Sequence, residues 1–244
     1  MMRSDRIHYL LLQMRKPGDP MSAHEVRCFA ESLGCATDDI EVCDFVHAPP
    51  DASHWKAADA VLFGGSGDYS VVEGGPWLPH VLESMRRLVD EGKPTFASCW
   101  GFQAMALALG GTVVTDLSRA ELGTTDLWLT EAGLADPIFA PLGERFLGQS
   151  GHQDIVDSLP PGAVGLVSSD RVANQAFRIE GAPIYGTQFH PELTRETILD
   201  RLRTYPTYVE NIARMPFAEF EATCQDSPGT QDILRRFVEE AFGK

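Results

Sequence analysis

An abrupt change of sequence pattern at one cysteine is the clearest sign of chemistry in this chain. A β-prone apolar run over 95–98 ends at Cys99, and after a glycine the helical stretch 103–109 begins. A thiol at such a strand-to-helix turn is pushed out of the tight bend and faces the positive end of the new helix, which favours the thiolate. We therefore predict that Cys99 is a nucleophile that attacks carbonyl carbon.

A histidine and a glutamate follow a second apolar run far downstream. The run 183–189 ends in His190-Pro191-Glu192. Here the imidazole can serve as the base and the carboxylate can orient it, as a Cys-His nucleophilic system requires. The spacing across Pro191 keeps both side chains near one strand terminus, so that one ring nitrogen can face the thiol. Cys99, His190 and Glu192 are therefore the predicted catalytic residues.

Each of these residues also has an ordinary structural interpretation. A lone cysteine is most often a small buried hydrophobe, a histidine at a strand end is often a satisfied polar group, and a loop glutamate is often solvated. The elbow context and the downstream His-Pro-Glu favour the catalytic interpretation of Cys99. The other four cysteines lack this context and are predicted to be structural: Cys28, Cys35, Cys43 and Cys224.

A glycine-rich loop over 64–70 follows the apolar strand pattern at 59–63. A phosphate cradle is disfavoured, because no Gly-Lys-Ser/Thr follows and no helix begins directly after the glycines. A bare turn and an oxyanion loop both remain open from the residues alone. The oxyanion loop makes chemical sense, because a tetrahedral adduct needs backbone N–H donors and glycine lets the backbone approach closely.

Composition and charge restrict the classes of function. The 244 residues carry a formal net charge of -15, which disfavours binding to nucleic acid or to an anionic membrane. Five cysteines without zinc-type pair spacing fit a reducing compartment. No apolar segment approaches the ~20 residues of a membrane span. We therefore expect a cytoplasmic protein whose partners are small molecules or other proteins.

Strand and helix patterns alternate through the first half of the chain. The run 7–13 predicts a first strand, a capping box over 22–25 predicts a helix that ends near Gly34, and Pro76 is predicted to begin another helix. Such alternation is typical of an α/β fold with an open, mostly parallel sheet and helices on both faces. Ligands gather at the carboxyl ends of the strands of such sheets, where the glycine loop and Cys99 lie.

The second half of the sequence has two further patterns. Short β-prone runs separated by proline and glycine turns predict extra small β elements over 111–188. After Glu192 the sequence becomes charged and helical, with a break at Pro206 and with Thr230 as the predicted cap of a last helix. We interpret 1–194 as one domain and 195–244 as a C-terminal helical extension packed on it.

Three motifs occur together in the order and rough spacing of one protein family. They are the Cys-Trp-Gly-Phe-Gln elbow at 99–103, the Gly-Gly-Ser-Gly-Asp-Tyr-Ser-Val loop at 64–71 and Phe-His-Pro-Glu at 189–192. In these motifs the chain resembles class I glutamine amidotransferase domains, above all the single-domain branch that is similar to the glutaminase half of GMP synthase. The resemblance covers about residues 7–192 and implies a flavodoxin-like fold.

The resemblance also implies roles for further residues. The backbone amides of Gly65 and Trp100 would hold the oxyanion. Gln103 would help to hold the α-amino and α-carboxylate end of glutamine, and backbone atoms of the loop that includes Gly151 and Gln153 would do the same. These residues complete the predicted site around the thiol.

Some residues depart from the pattern of the family. Trp100 and Phe102 flank the elbow glycine where many members carry leucine and histidine, and Gln153 stands where glycine is frequent. Trp100 still supplies its backbone N–H, so the departures bear on the identity of the substrate rather than on the chemistry. His152 is the second candidate histidine, but its His-x-Asp pattern with Asp154 can equally be a structural hydrogen bond.

The implied reaction is cleavage of the γ-amide of glutamine, or of a γ-glutamyl compound, through a γ-glutamyl thioester on Cys99. Neither a metal nor an organic cofactor is expected. A separate synthetase partner would use the ammonia, because 195–244 is too short to be a synthetase domain. A stand-alone γ-glutamyl peptide hydrolase and a non-catalytic binding module of the same fold are the alternatives. The sequence leaves the oligomeric state and the physiological substrate open.

Overall fold

Strands and helices alternate in the structure as the sequence pattern predicts. The computed structural model describes residues 6–243. Within them the strands are β1 Tyr9–Gln13, β2 Ile40–Asp44, β3 Ala60–Phe63, β4 Thr95–Ser98, β5 Thr112–Thr115, β6 Glu121–Leu129, β7 Arg145–His152, β8 Asp154–Ser158, β9 Ala163–Ser168, β10 Ala176–Ile179 and β11 Ile184–Thr187. The helices are α1 Met21–Leu33, α2 Ala52–Ala57, α3 Leu78–Asp90, α4 Trp100–Ala108, α5 Glu131–Ala135, α6 Arg195–Thr204, α7 Pro206–Tyr208, α8 Phe217–Thr223 and α9 Asp232–Phe242.

One half of the main sheet is parallel. Its strands lie in the order β2-β1-β3-β4-β11, which is the order of flavodoxin-like sheets when β11 takes the fifth place. β1 and β3 are continuous apolar runs because both of their faces are covered, and Leu10, Leu11 and Leu12 are fully buried. The predicted fold class is confirmed.

The other half of the main sheet is antiparallel, in the order β11-β10-β9-β6-β7. β11 joins the two halves, since it pairs parallel with β4 and antiparallel with β10. β5 and β8 pair with each other in a small ribbon of their own. The predicted β-rich part over 111–188 thus extends the main sheet and adds the ribbon.

Two hydrophobic clusters fill the two faces of the sheet. One packs α3 and α4 against the face that carries Leu10 and Leu12. On the opposite face, Leu11 and Phe96 belong to a cluster that includes Phe237 of α9. α9 also contacts α1. The C-terminal helices therefore pack directly on the α/β sheet.

Two predicted helix caps differ from the structure. α1 begins at Met21 without a side-chain cap, so the predicted capping box is wrong, because Glu25 is held in a buried ion pair instead. α9 begins at Asp232, and Thr230 donates its hydroxyl to the Ser227 carbonyl oxygen at 2.7 Å rather than capping the helix. The partner that holds Glu25 comes from outside α1, whereas Thr230 bonds to a local carbonyl oxygen three residues earlier.

The helices differ in length and regularity. The connection after α6 is the most irregular part: the single turn α7 leads into a π-helical turn at Val209–Ala213, which ends at Arg214 with φ 53°. Such π turns often occur near functional sites. None of the helices found in the described part of the chain is both long and apolar enough to cross a membrane.

Candidate active site

Cys99 lies at a sharp turn between β4 and α4. Its backbone has φ 48° and ψ -98°, which a residue with a Cβ rarely adopts, and Trp100 directly begins α4. Gly101 follows because α4 starts close against β3: a Cβ on Gly101 would overlap the Cβ of Phe63. The structure thus has the elbow geometry that the sequence pattern predicts.

His190 and Glu192 follow the neighbouring strand of the sheet. β4 and β11 pair in parallel register with Ser98 opposite Thr187, so their carboxyl ends bring Cys99 and His190 to one edge of the sheet. His190 Nδ1 lies 2.6 Å from Glu192 Oε1, and both side chains are buried. The structure therefore places the three predicted catalytic residues at the same sheet edge.

The protonation states of the pair follow from its surroundings. Burial lowers the pKa of His190 below the ordinary value of 6.5, and the Glu192 carboxylate offsets only part of this effect. Burial alone would raise the pKa of Glu192, but His190 and Arg201 outweigh it and hold that pKa below its ordinary value. Glu192 is therefore an ionised acceptor, so Nδ1 carries the imidazole proton and Nε2 is free as a base.

Ser98 holds the carboxylate from a second direction. Its hydroxyl donates to Glu192 Oε2 at 2.9 Å and lies 3.3 Å from His190 Nδ1. The sequence analysis missed this residue, because a serine inside a buried strand carries no signal of its own. Its position directly before Cys99 is the one clue, since β4 fixes both residues together.

The surroundings of Cys99 favour the protonated thiol rather than the predicted thiolate. Burial raises the pKa of Cys99 to about 12, and the Arg201 guanidinium and the Trp100 backbone N–H offset only part of that increase. The carboxylates of Glu192 and Asp154 raise the pKa further.

Cys99 opens into a cavity of about 200 Å³. Its walls include the glycine loop, the start of α4, the segment 151–154 where β7 passes into β8, and Tyr208. The predicted substrate-binding residues Gln103, Gly151 and Gln153 all line it. Within the described chain, its lining contains no lysine or arginine but three carboxylates: Asp68, Glu73 and Asp154.

Gln103 and Asp154 are held firmly in the cavity wall. Gln103 Nε2 donates to the Asp154 carbonyl oxygen at 2.7 Å and to Gln188 Oε1 at 3.3 Å. The Asp154 carboxylate accepts hydrogen bonds from Ser70 at 2.6 Å and from Thr115 at 2.5 Å. A buried carboxylate that is held by neutral hydroxyls can still accept a hydrogen bond from an ammonium group.

The backbone amide of Gly65 is engaged with a carboxylate. It donates to Glu25 Oε1 at 3.1 Å. A Cβ on Gly64 would lie 2.5 Å from that carboxylate, and a Cβ on Gly65 would lie 2.8 Å from His190 Cε1. The two glycines therefore permit a close approach of the loop to both side chains, and the amide hydrogen of Gly65 is used by Glu25.

Glu25 belongs to a buried ion network that the sequence analysis missed. Arg15 Nη2 donates to Glu25 Oε1 at 2.8 Å, and Arg15 Nε donates to Oε2 at 3.2 Å. Arg201 lies 3.8 Å from Glu25 and 4.0 Å from Glu192, with Nη1 at 3.4 Å from His190 Nδ1. The network connects α1 and α6 to the His190–Glu192 pair. Since its members are far apart in the sequence, no local pattern indicates it.

A second buried histidine–carboxylate pair borders the cavity. His152 Nε2 lies 3.1 Å from Glu121 Oε2, where the two residues face each other across β6 and β7. Ser169 donates to Glu121 Oε1 at 2.6 Å, and Gln175 donates to Oε2. Burial would raise the pKa of Glu121, but the hydrogen bonds from His152 and its other partners lower it. His152 Nδ1 is buried and has no hydrogen-bond partner within residues 6–243.

Comparison with protein families agrees with this geometry. The family described as glutamine amidotransferase class-I matches residues 30–201. This chain therefore belongs to the class I glutamine amidotransferase family, as the three motifs predict.

Among curated proteins, the chain is similar to glutamine-hydrolyzing GMP synthases. The glutamine-hydrolyzing GMP synthase of Xanthomonas oryzae pv. oryzae is 30% identical over 169 residues, which cover 66% of this chain and 30% of that protein. One subunit of the glutamine-hydrolyzing GMP synthase of Methanopyrus kandleri is 34% identical over 126 residues, which cover 50% of this chain and 65% of the subunit. The chain thus spans less than a third of the length of the Xanthomonas GMP synthase that it matches.

Solved structures show the same fold over nearly the whole chain. A glutamine amidotransferase from Thermotoga maritima has a TM-score of 0.77 at 18% identity, covering 98% of this chain and 99% of that one. A glutamine amidotransferase from Methylobacillus flagellatus has a TM-score of 0.70 at 18% identity, with coverages of 97% and 95%. The likeness extends over the C-terminal helices as well as the sheet.

Proposed function

We propose that this chain cleaves the γ-amide of glutamine, or of a γ-glutamyl compound, through a γ-glutamyl thioester on Cys99. One observation carries the proposal: the Cys99 thiol stands at a strand-to-helix elbow, at the same sheet edge as a buried His190–Glu192 pair whose Nε2 is free. A nucleophile, a base and an orienting carboxylate are the three groups that covalent amide cleavage needs.

The first half of the reaction begins from a neutral thiol and a neutral imidazole. His190 Nε2 accepts the thiol proton while the Cys99 sulfur forms a bond to the γ-carbonyl carbon. The Glu192 carboxylate stabilises the imidazolium that results. His190 then donates the proton to the γ-nitrogen, the C–N bond breaks, and ammonia or an amine leaves.

The second half regenerates the thiol. His190 Nε2 takes a proton from water while the water oxygen attacks the thioester carbonyl carbon. The C–S bond then breaks, and the Cys99 sulfur takes the proton back from the imidazolium. The net reaction consumes one amide and one water and yields one carboxylate and one amine, without change of oxidation state.

Two backbone amides are candidates for stabilising the oxyanion. The Trp100 N–H is near enough to lower the pKa of Cys99, and it lies in the first turn of α4, where N–H groups have no partner within the helix. The Gly65 N–H becomes a second donor only when its peptide turns away from Glu25. Trp100 is therefore the donor that needs no rearrangement.

The cavity favours a substrate with a free α-ammonium group. We assign this group to Asp154, because its buried carboxylate is held by hydroxyl groups and lines the cavity. No lysine or arginine in the described lining can pair with the α-carboxylate. That group would therefore bind to N–H donors of the wall that includes Gln103, Gly151 and Gln153.

The ammonia would pass to a synthetase on a separate chain. The Methanopyrus kandleri relative is named as part of a glutamine-hydrolyzing GMP synthase that is divided into subunits. By analogy, this chain would act as a glutaminase subunit, with the synthetase as its partner. Ammonia release that increases when such a partner is added would support this role.

Two measurements on the purified chain test the proposed chemistry. Incubation with L-glutamine should release ammonia and glutamate, and a diazoketone analogue of glutamine should label Cys99, as located by peptide mass spectrometry. Cys99→Ser should abolish both signals. Cys35→Ser is the matched control, because Cys35 lies outside the site and its change should leave both signals intact. Labelling mainly at another cysteine, or no labelling and no hydrolysis, would contradict the proposal.

A further inference from the structure

A second, much smaller space lies beside His190. Its free volume is about 20 Å³. A single water molecule needs about 10–15 Å³ of such volume, so the cleft holds about one molecule of that size. Four residues supply the polar part of its wall: Arg15, Ser66, His190 and Arg201. Four side chains of α6 and the connection after it fill most of the rest: Ile198, Leu202, Tyr205 and Tyr208.

The larger cavity and the small cleft are lined by different members of the proposed catalytic set. Cys99 lines the cavity of about 200 Å³, whereas His190 lines only the small cleft. Because the general acid must lie within hydrogen-bond reach of the departing nitrogen, the leaving group must lie on the His190 side. The glutamyl part of the substrate then lies in the larger cavity with Asp154.

Arg201 shows that the small cleft suits a polar occupant. Its side chain is buried, and within residues 6–243 its Nε and Nη2 have no hydrogen-bond partner. Nη2 is 3.8 Å from Glu25, which is an ion-pair distance but too long for a hydrogen bond. These two nitrogens are enclosed by the protein, so Arg201 acts on the cleft through its charge rather than through hydrogen bonds from them. Ammonia and water are both polar enough for such a wall, and both can exchange a proton with His190.

Two tyrosines after α6 close the cleft. The Tyr205 hydroxyl donates to Asp19 and accepts from Arg15 Nη1 at 3.1 Å, and a Cβ on Gly67 would meet the Tyr205 ring at 2.7 Å. Tyr205 is therefore fixed in place. Tyr208 lines both spaces, as do Ser66, Gly67 and Gly151, and it has the largest side chain of the four. Both tyrosines lie beyond residue 201, where the match to the family ends.

We infer that Tyr208, with Tyr205 beside it, sets the size limit for the leaving group, because the two rings restrict the space beside His190 to one small molecule. The inference rests on the proposed function and deepens it: glutamine is accepted, and γ-glutamyl peptides and N-alkyl amides are rejected. Tyr208 is the specificity-determining residue, since its neighbour Tyr205 also ties the connection to Asp19 and Arg15.

A series of leaving groups tests this size limit in the unaltered protein. We expect kcat/KM to fall on the order of tenfold or more from L-glutamine to γ-glutamylmethylamide, and further for γ-glutamylglycine, because a single methyl group already exceeds the cleft. Equal kcat/KM for glutamine and γ-glutamylglycine would overturn the inference while leaving the thioester chemistry intact. No hydrolysis of glutamine and no labelling of Cys99 would instead overturn the proposed function.

Three variants locate the limit at Tyr208. Tyr208→Ala should raise the ratio of kcat/KM for the methylamide to that for glutamine by about tenfold, whereas Tyr208→Phe keeps the ring and the original ratio. Tyr69→Ala is the matched control, because Tyr69 lines the larger cavity but not the cleft, so the ratio should stay unchanged. A folded Tyr208→Ala with the original ratio, or the same change in Tyr69→Ala, would overturn the assignment to Tyr208. If Tyr208→Ala does not fold, the substrate series alone decides the inference.

Discussion

Two buried histidine–carboxylate pairs border the same region and are built from the same residue types. His190 lies 2.6 Å from Glu192, and His152 lies 3.1 Å from Glu121. They differ in the second ring nitrogen. His190 contacts its carboxylate through Nδ1, and its Nε2 lies on the side of Gly65. His152 contacts its carboxylate through Nε2, and its Nδ1 is buried without a hydrogen-bond partner within residues 6–243.

The difference separates a candidate base from a structural support. Burial and a carboxylate partner are common to both pairs, so neither property identifies the base. Both histidines line a space, but the second nitrogen of His152 is fully enclosed, whereas that of His190 is not. His152 and Glu121 instead connect β6 to β7 at the start of the 151–154 segment, which lines the cavity.

We expect the largest effect from removing the Cys99 thiol, because neither histidine–carboxylate pair can support the proposed reaction without a nucleophile. Cys99→Ala should lower the rate of glutamine hydrolysis by about 10⁴-fold or more, because no nucleophile remains. The variant should keep its fold, since the residue contributes little packing. Thermal unfolding and ammonia release measure the two results. A variant that retains substantial turnover would show that neither pair acts through this thiol.

The next effect compares the two histidines directly. His190→Ala should reduce kcat by about 10²–10⁴-fold, the range for loss of general acid–base catalysis. His152→Ala should reduce kcat much less and should act mainly on KM, through the cavity wall. Steady-state kinetics on both variants, with circular dichroism to verify folding, measure this contrast. Equal losses of kcat in the two folded variants would contradict the assignment of His190 as the base and His152 as a structural residue.

Substitution of the two carboxylates, Glu192 and Glu121, should affect different properties, turnover in the first case and stability in the second. Glu192→Gln should lower kcat by less than His190→Ala does, because it leaves the imidazole in place but removes the orienting charge. Substrate KM should change little. A complete loss of activity in Glu192→Gln, equal to that in His190→Ala, would show that the carboxylate does more than orient the base.

Glu121→Gln should affect stability rather than turnover. The side chain accepts hydrogen bonds from His152, Ser169 and Gln175, and an amide NH₂ would face donors instead of accepting from them. We expect the free energy of unfolding to fall by about 1–3 kcal/mol, the cost of leaving a buried polar group unpaired. Urea denaturation measures this loss. A fall in kcat as large as that of Glu192→Gln would give the second pair a catalytic role.

The smallest effect is a shift in pH dependence. The acid limb of kcat/KM should have its midpoint below 6.5, because burial lowers the pKa of His190 and the neutral base persists to lower pH. Glu192 raises that pKa, so Glu192→Gln should move the limb to still lower pH, and Glu121→Gln should not move it. A limb above 6.5 would mean that His190 is protonated more easily than its burial implies.

The sequence predicts those parts of the site that depend on local pattern. Cys99 and the His190–Glu192 spacing each sit at the end of an apolar run, and parallel strands bring such ends together. The Glu121–His152 pair could not be predicted, because it depends on strand β7. The glycines and polar residues of β7 do not show the alternation of apolar and polar residues that is typical of a strand. Arg201 and Tyr208 depend on how the helices after β11 pack, which no spacing in the sequence encodes. The sequence indicates Asp154 only as the partner of His152 in a His-x-Asp pattern, and it gives no sign that Asp154 lines the cavity.

The position of α9 in the core has a consequence for how the chain folds during synthesis. Phe237 packs against Phe96 at 5.5 Å and against Tyr185 at 6.1 Å between ring centroids. Phe96 belongs to β4, the strand before Cys99, so one face of this strand lacks part of its cover until α9 has been synthesised. A nascent chain that pauses before Phe237 thus leaves Phe96 and Tyr185 partly exposed, and exposed apolar surface of this kind makes an incomplete chain prone to aggregation.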